Sequence, residues 1–415
     1  VQYAQTNQKQ AQFPEDEQRK KKWAKAGKKT TLQGTSVEGT ICPVCGKGKV
    51  LENERSFFCE KYTKGCHFTL WKDGLTRGGG PELNTRLVQL LLTNKAVRGS
   101  TGVVALTDGT TVTVNIGGDE GDPKLVITDL LPHLGQEQSK KPLAEGIVGE
   151  QLNLLLGSKP IGDDEGSDRV KLAVMQLLNE KYGITEDDFT SAELEAVPAV
   201  KATEIGLDRS MIGSYGHDDR VCGYAALKAL LDLDKTPAKT AVCVLADKEE
   251  IGSDGVTGMQ SAAFDTFMED LCEAQGAALR VCLENSFCLS ADVTAAYDPN
   301  FAEAYEPRNS AYINYGVCIS KYTGARGKSG ASDASAELVG YVRRTFAEAG
   351  VIWQLAELGK TDQGGGGTVA CYMANRNIDT IDAGVPVLSM HAPFETTAKL
   401  DCYMAYKGML ALYQH

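Results

Sequence analysis

From about residue 102 to the C-terminus, apolar β-branched runs alternate with amphipathic helix patterns. Strand-like runs lie at 240–245, 312–319 and 385–389, and helical patterns at 168–183, 219–233, 258–277, 333–349 and 401–414. Two shorter runs, GVVAL and TVTVNI, flank Asp108-Gly109 and predict a β-hairpin. The alternation predicts an α/β fold, in which helices flank a mixed or parallel sheet.

Four of the twelve cysteines are concentrated near the N-terminus, at Cys42, Cys45, Cys59 and Cys66. Paired cysteines in two knuckles are typical of a closed, tetrahedral structural zinc site. His67 could compete with Cys66 as a ligand, and four ordinary buried cysteines are the alternative to a zinc site. We therefore predict a small N-terminal zinc ribbon over residues 38–75.

Composition limits the other classes of function. The chain has 415 residues and a net charge of −12, which argues against nucleic-acid binding by the chain as a whole. Residues 1–37 are the exception: they hold eight lysines and arginines against three acids, which predicts a basic polar linker. No run is long and apolar enough to cross a membrane. The scattered cysteines favour a reducing compartment, and we expect the cytoplasm.

Carboxylates and one histidine follow the apolar runs of the C-terminal half. Asp218 and Asp219 begin a helical pattern, Glu249 and Glu250 follow the run 240–245, and single residues end two further runs, Asp292 and His391. Each has an ordinary explanation, as a helix cap, a solvated turn or a structural histidine. Together they indicate a metal site, because ligands collect at strand ends in open α/β sheets.

These motifs resemble the aspartyl aminopeptidase-like family of dinuclear zinc exopeptidases. The resemblance runs from about 102 to 415 and includes the segments GLDRSMIGSYGHDDR, DKEEIGSDG, LSADVTAAYDPNF, KYTGARGKSGASDASAE and LSMHAPFE. It implies a metallopeptidase-type catalytic domain at 206–415 and an inserted β-rich dimerisation domain at 102–205. It also implies a large homo-oligomer, a dodecamer built from dimers.

The resemblance assigns a role to each candidate residue. Asp218 would bridge two zinc ions, Glu250 and His391 would complete one site, and Asp292 would bind the second ion. Glu249 would be the general base that takes a proton from water on the metal. Manganese or cobalt could replace catalytic zinc. The implied activity is release of N-terminal residues from peptides, with acidic residues as the preference that gives the family its name.

Two further features have weaker signals. His133, in the segment LLPHL, matches a family region where a histidine can reach a neighbouring subunit's active site, and an ordinary surface or core residue is the alternative. The run QGGGGT at 363–368 lacks the lysine and hydroxyl residue of a phosphate-binding loop. The family resemblance makes it instead a turn that lines the substrate pocket.

The sequence departs from the family at its first metal ligand. That ligand is a histidine in a His-x-Asp motif before the insert, where this chain has the cysteine module. Its five histidines, at 67, 133, 217, 391 and 415, include none in such a setting. The second ion would thus lose its nitrogen ligand, and the catalytic sheet its first strands. The chain is then an aminopeptidase that works with one or two ions, an impaired fragment fused to a ribbon, or two joined gene pieces.

Residues 41–72 resemble the zinc ribbons at the C-terminal end of bacterial type IA DNA topoisomerases. The aromatic residues Phe57, Phe58, Phe68 and Trp71 fit that pattern, and in those enzymes the ribbon helps to hold single-stranded DNA. Base stacking on aromatic side chains is the physical means. The junction at 76–101 continues the resemblance weakly. No topoisomerase cleavage domain is present, so no topoisomerase activity is expected.

Overall fold

The computed structural model describes residues 34–42, 45, 47–66, 68–72, 100–118, 121–162, 167–326 and 329–415. They fall into two compact units that divide between Ala199 and Val200. The basic linker up to residue 33, His67 and nearly all of the 76–101 junction lie outside the described residues. Among the described helices, none combines the length and hydropathy that crossing a membrane requires.

The cysteine module of the first unit forms a four-stranded antiparallel sheet. Its strands follow chain order: β1 (Thr35–Ile41), β2 (Lys49–Glu52), β3 (Ser56–Cys59) and β4 (Thr69–Trp71). Strand β1 begins two residues before the predicted end of the linker at 37. A one-turn 3₁₀ helix, Tyr62–Lys64, lies between β3 and β4.

Two of the four aromatic residues expected to stack on DNA are buried instead. Phe57 is 0% exposed and Phe58 is 2% exposed. The reason is the position of β3, an inner strand of the sheet in which all four residues are buried. Base stacking needs an accessible ring face, so the assignment of Phe57 and Phe58 to DNA stacking was wrong.

The rest of the first unit contains the predicted hairpin. Strands β5 (Ser100–Ala105) and β6 (Thr111–Ile116) are antiparallel, as Asp108-Gly109 predicted, and β9 (Glu193–Leu194) extends the pair. Strands β7 (Val126–Ile127) and β8 (Leu154–Leu155) pair separately. The helices are α1 (Leu143–Gly146) and α2 (Arg169–Tyr182), with 3₁₀ turns at Gln138–Lys140, Gly149–Gln151 and Asp187–Ser191.

The second unit contains two mixed sheets and a small ribbon. The five-stranded sheet has the order β10-β11-β20-β19-β13, with bounds Thr203–Ile205, Met211–Ser214, Glu395–Ala398, Pro386–Leu388 and Thr294–Ala295. The four-stranded sheet has the order β12-β18-β14-β17, with bounds Phe287–Ser290, Asp379–Gly384, Val317–Ser320 and Trp353–Leu355. Strands β15 (Tyr322–Ala325) and β16 (Ser329–Asp333) form the ribbon.

Helices cover these sheets where the periodicity predicted them. They are α3 (His217–Leu231), α4 (Ala263–Ala274), α5 (Leu279–Glu284), α6 (Ala336–Ala349), α7 (Ala370–Ala374) and α8 (Lys399–Gln414), and 3₁₀ turns lie at Glu249–Ile251, Pro299–Ala304 and Pro307–Asn309. Apolar faces of α3, α6 and α8 pack with β14, β18 and β19 in one core that includes Val342, Phe346, Ile319, Ile381 and Met404. The mixed α/β fold is therefore confirmed.

The predicted strand at 240–245 is absent. These residues are assigned to no strand, and the nearest pairing is a single bridge between Asp247 and Gly258. A β-branched run becomes a strand only where a neighbour completes its backbone hydrogen bonds, and no described strand lies beside this one. Val244 and Leu245 are 45% and 61% exposed, so this run presents an exposed apolar edge.

Candidate active site

Asp218 and Asp219 lie where β11 passes into α3. Both have non-helical backbone angles within the first turn of α3, with φ of −79° and −111°. The two aspartates therefore lie at a break that precedes the regular part of the helix. The backbone N–H of Asp218 donates to Glu395, at 3.1 Å. The Asp218 side chain lines the cavity described below.

The adjacent glutamates lie in a 3₁₀ turn, Glu249–Ile251, between two residues in the left-handed region. Lys248 and Gly252 have φ of 67° and 101°. Glu249 is half-buried and Glu250 is exposed. Burial, with the charge of Glu250 second, raises the pKa of Glu249 above its ordinary value. The two neighbours therefore have different surroundings, as different chemical roles require.

His391 follows β19 and joins Asp218 and Glu250 in what we call the histidine cluster. His391 Nε2 lies 2.9 Å from Asp218 Oδ2 and 3.3 Å from Glu250 Oε2. One donor atom from each of the three residues lies within 4.8 Å of the others. One imidazole nitrogen and two carboxylates at such separations suit a zinc ion, with a position left open for water or substrate.

Asp218 also belongs to a second group, the carboxylate cluster, with Asp219 and Asp292. Oxygen atoms of the three lie within 4.8 Å of one another. Burial, followed by the charge of its neighbours, raises the pKa of Asp218 to about 7. Burial likewise raises the pKa of Asp219 to about 8 and that of Asp292 to about 9. Asp219 Oδ1 is buried and has no hydrogen-bond partner. A cation would neutralise this crowding and occupy the unpartnered oxygen, so the residues fit a metal.

The carboxylate cluster contains no nitrogen donor among the described residues. His217, although adjacent to Asp218, is buried, and its Nε2 lies 3.1 Å from the carbonyl oxygen of Ile212. Burial lowers the pKa of His217. Among the described residues, the carboxylate cluster therefore offers oxygen ligands alone.

The histidine cluster and Asp292 of the carboxylate cluster lie on the wall of one cavity of about 750 Å³ in the second unit. Glu249 also lines it, together with Glu357, Asp382 and the glycines 364–367. The QGGGGT run thus contributes to a pocket wall, as the resemblance implied. Asp382 is almost fully buried and accepts a hydrogen bond from Ser290 Oγ at 2.6 Å, which fixes one further carboxylate on the cavity wall.

The remaining predicted site residues lie in the first unit. His133 is exposed, in a turn at 132–134. The four cysteine sulfur atoms at 42, 45, 59 and 66 lie within 4.8 Å of one another. Backbone N–H groups of Lys47 and Gly48 donate to the Cys45 sulfur and lower its pKa to about 6. These features fit a metal held by thiolates.

Glu395 was missed by the sequence reasoning. It is 2% exposed, and its carboxylate accepts hydrogen bonds from the backbone of both Asp218 and His391. A signal was present, because Glu395 ends the quoted segment LSMHAPFE, four residues after His391. A charged residue at the start of a strand is usually exposed, so the pattern alone did not distinguish it.

Comparison with known proteins identifies the family. Residues 98–413 match the model of the family described as aminopeptidase I zinc metalloprotease (M18). A probable M18 family aminopeptidase 1 of Clostridium acetobutylicum is 48% identical over 314 residues, covering 75% of this chain and 67% of that protein. The chain thus spans about two thirds of the length of this relative. The cysteine module lies outside residues 98–413, which match the family model.

Two crystal structures share the fold. The M18 aminopeptidase of Thermotoga maritima superposes with a TM-score of 0.72 at 44% identity, covering 76% of this chain and 70% of that one. Aminopeptidase I of Clostridium acetobutylicum gives a TM-score of 0.71 at 41% identity, covering 88% and 75%. Both the sequence and the fold therefore favour a metal-dependent aminopeptidase over an impaired fragment fused to a DNA-binding ribbon. The chain belongs to the M18 family of aminopeptidase I zinc metalloproteases.

Proposed function

We propose that the cavity releases the N-terminal residue of peptides and that Asp218, Glu250 and His391 hold the zinc ion that it uses. The observation that carries this proposal is the histidine cluster, with donor atoms within 4.8 Å of one another on the cavity wall. Three protein ligands suffice for a catalytic zinc ion. When bound, zinc would polarise the scissile carbonyl group and make nearby water more acidic.

Glu249 is the proposed general base. It lines the same cavity, and its raised pKa brings the carboxylate closer to the working pH, where a base is most effective. It would accept a proton from the attacking water and pass it to the leaving amine. Glu250, its exposed neighbour, lies against His391 and is assigned to the metal.

The acidic wall explains why the substrate should carry a free N-terminus. Asp382, Glu357 and the two clusters give the cavity an excess of carboxylates, which attract the α-ammonium group of a peptide. Of the described residues that line it, Lys360 is the one lysine or arginine. We propose that Lys360 supports a preference for acidic N-terminal residues.

A second ion is proposed at Asp218 and Asp292, with Asp219 beside them. Carboxylate oxygens alone suit harder ions such as Mn²⁺ better than zinc. Manganese is therefore expected to be able to replace zinc in the carboxylate cluster. Cobalt, which accepts nitrogen and oxygen ligands, is expected to replace zinc in the histidine cluster.

The four cysteines are proposed to hold a structural zinc ion. The support is the proximity of their sulfur atoms and the N–H groups directed at Cys45 and Cys59, including the Lys61 N–H at 3.4 Å. Single-stranded DNA is a proposed partner of this ribbon on the resemblance alone, since buried Phe57 and Phe58 offer it no stacking surface.

We propose assembly into a homo-oligomer through the insert in the first unit. Exposed apolar side chains are concentrated around His133, including Val126, Leu131 and Leu134 at 53%, 54% and 71%. Such a surface is unusual unless a partner covers it. The S. cerevisiae mApe1 dodecamer shares the fold at 21% identity, with a TM-score of 0.55. In such an assembly, His133 would reach the cavity of a neighbouring subunit.

We also propose that the protein is located in the cytoplasm, a reducing compartment that would keep its cysteine thiols reduced.

A substrate panel tests the function. The full chain, supplied with zinc, manganese or cobalt, is assayed on aminoacyl fluorogenic substrates and on their N-acetylated counterparts, with Glu249→Gln as a blank. We expect turnover only of free N-termini, with kcat lower by about 10²–10⁴-fold in the variant. Cleavage of the acetylated substrates would contradict the aminopeptidase proposal, and wild-type turnover by the variant would contradict the role of Glu249.

A further inference from the structure

Glu395 joins the two segments that bring Asp218 and His391 together. Strand β20, which begins with Glu395, pairs with β11 on one side and with β19 on the other. Strand β11 leads into Asp218, and β19 leads into His391. Glu395 therefore lies between the two strands that deliver the metal ligands, although Asp218 is 177 residues away in the chain.

Each oxygen of the Glu395 carboxylate accepts one backbone hydrogen bond. Oε2 accepts from the N–H of Asp218 at 3.1 Å, and Oε1 accepts from the N–H of His391 at 2.8 Å. The side chain is 2% exposed, so water does not compete for these bonds. Charged acceptors make stronger hydrogen bonds than neutral ones. One buried carboxylate thus fixes the main chain of both ligand residues.

The backbone at these ligands needs such support. His391 and nearby Ser389 have φ of 65° and 59°, in the left-handed region that residues with a side chain seldom adopt. Asp218 leaves helical geometry within the first turn of α3, with ψ of 111°. Irregular conformations of this kind persist where the surroundings hold them in place. The Glu395 carboxylate contacts the backbone N–H groups of both Asp218 and His391.

We propose that Glu395 is a positioning residue that holds Asp218 and His391 at the separation needed to bind one zinc ion. It does not touch the metal or the substrate and acts through the two backbone N–H groups. Glutamine is nearly the same shape but has a single acceptor oxygen, and its NH₂ group would face one of the two N–H donors. Glu395→Gln should therefore release one ligand. The inference rests on the proposed zinc site.

The experiment compares Glu395→Gln with a matched control in the full chain. Asp401 is likewise buried and accepts two backbone N–H bonds, from Asn314 at 2.8 Å and Gly316 at 2.7 Å, but its partners are not metal ligands. Zn²⁺ affinity is measured by competition with a chelating dye. Co²⁺ spectra identify which site is being filled, since thiolate ligands give much stronger absorption than nitrogen and oxygen ligands.

We expect Glu395→Gln to weaken Zn²⁺ binding at the histidine cluster by about 10–100-fold, the usual effect of removing a group that orients a metal ligand. Saturating zinc should restore much of kcat with KM unchanged. Asp401→Asn should lower the melting temperature but leave zinc affinity within about twofold of wild type.

Three results decide between the possibilities. Unchanged zinc affinity in a folded Glu395→Gln protein, with only a lower melting temperature, would overturn the inference. If that variant does not fold, Glu395→Asp is measured instead. Its side chain keeps the charge but is one carbon shorter, and zinc binding should again be weaker than in the wild type. A wild-type chain that binds no zinc outside its cysteines would instead refute the proposed function.

Discussion

The histidine cluster and the carboxylate cluster share Asp218 but differ in what their other members offer a metal. The first adds the His391 imidazole and the exposed Glu250, and the second adds only buried carboxylates, Asp219 and Asp292. Burial and mutual repulsion raise the carboxyl pKa values in the second cluster most, to about 8 and 9. We infer that the departure from the family affects the carboxylate cluster, since the histidine cluster still offers one nitrogen and two oxygen donors.

The largest effect is expected from Asp218→Asn, since this residue serves both clusters. Its replacement removes a charged ligand from each, so metal should be lost from both and turnover should fall to background. Metal content by mass spectrometry and turnover on the preferred substrate are the measurements. Full retention of either ion would show that the clusters do not share Asp218.

Glu249→Gln should reduce kcat by about 10²–10⁴-fold, the usual contribution of a general base. Zinc content should remain that of the wild type, because the histidine cluster does not include this residue. Loss of zinc together with activity would mean that Glu249, and not Glu250, is the ligand. Glu250→Gln is the matched variant, and it should lose zinc.

Comparing Asp292→Asn with His391→Ala tests the carboxylate cluster and the histidine cluster separately. His391→Ala should remove zinc and activity, while Asp292→Asn should keep both zinc and turnover, because it leaves the three ligands of the histidine cluster in place. The metal content and kcat of both variants are measured at matched zinc concentrations. Equal losses would show that the centre functions only with both ions.

The stability of the metal-free protein should depend on pH because of the carboxylate cluster. The folded pKa values of Asp218, Asp219 and Asp292 lie above the ordinary value of 3.8. Between that value and about pH 9 the folded state therefore binds more protons than the unfolded state, and stability falls as the pH rises. The melting temperature should decrease from about pH 6 to about pH 9. Added zinc or manganese should reduce the decrease, and a flat profile without metal would argue against the cluster.

The smallest effect on catalysis is expected from the cysteine module. Cys59→Ser should abolish zinc binding by the four cysteines and unfold the β1–β4 sheet, because Cys59 is buried in its core. Aminopeptidase activity per folded catalytic centre should not change. Zinc content and turnover of the variant are compared with those of the wild type, and a parallel loss of activity would link the module to catalysis.

Periodicity predicted the elements of the second unit well because their faces are buried in one core. Helix α6 shows this, with Leu338, Val342 and Phe346 buried at helical spacing. The run 240–245 failed for the opposite reason. Its composition favours a strand, but a strand also needs a partner, and no local pattern reports whether one exists.

Most residues of the candidate site were also predicted from the sequence. Asp218, Glu250, Asp292 and His391 were named from their positions after apolar runs, and the structure brings their side chains into one cavity wall. Glu395 was not named, because its role depends on two strands that are distant in sequence. Phe57 and Phe58 were misassigned because an aromatic pair in a short strand has the same pattern whether it is buried or exposed.

We propose that one zinc ion at Asp218, Glu250 and His391 supports turnover without a nitrogen ligand in the carboxylate cluster. The direct test is a zinc titration of the metal-free full chain, with bound zinc and turnover followed together. Zinc bound by the cysteines should produce no activity, and activity should rise to its plateau with one further equivalent. Absence of turnover when the histidine cluster is filled, or a plateau that requires a second further equivalent, would contradict it.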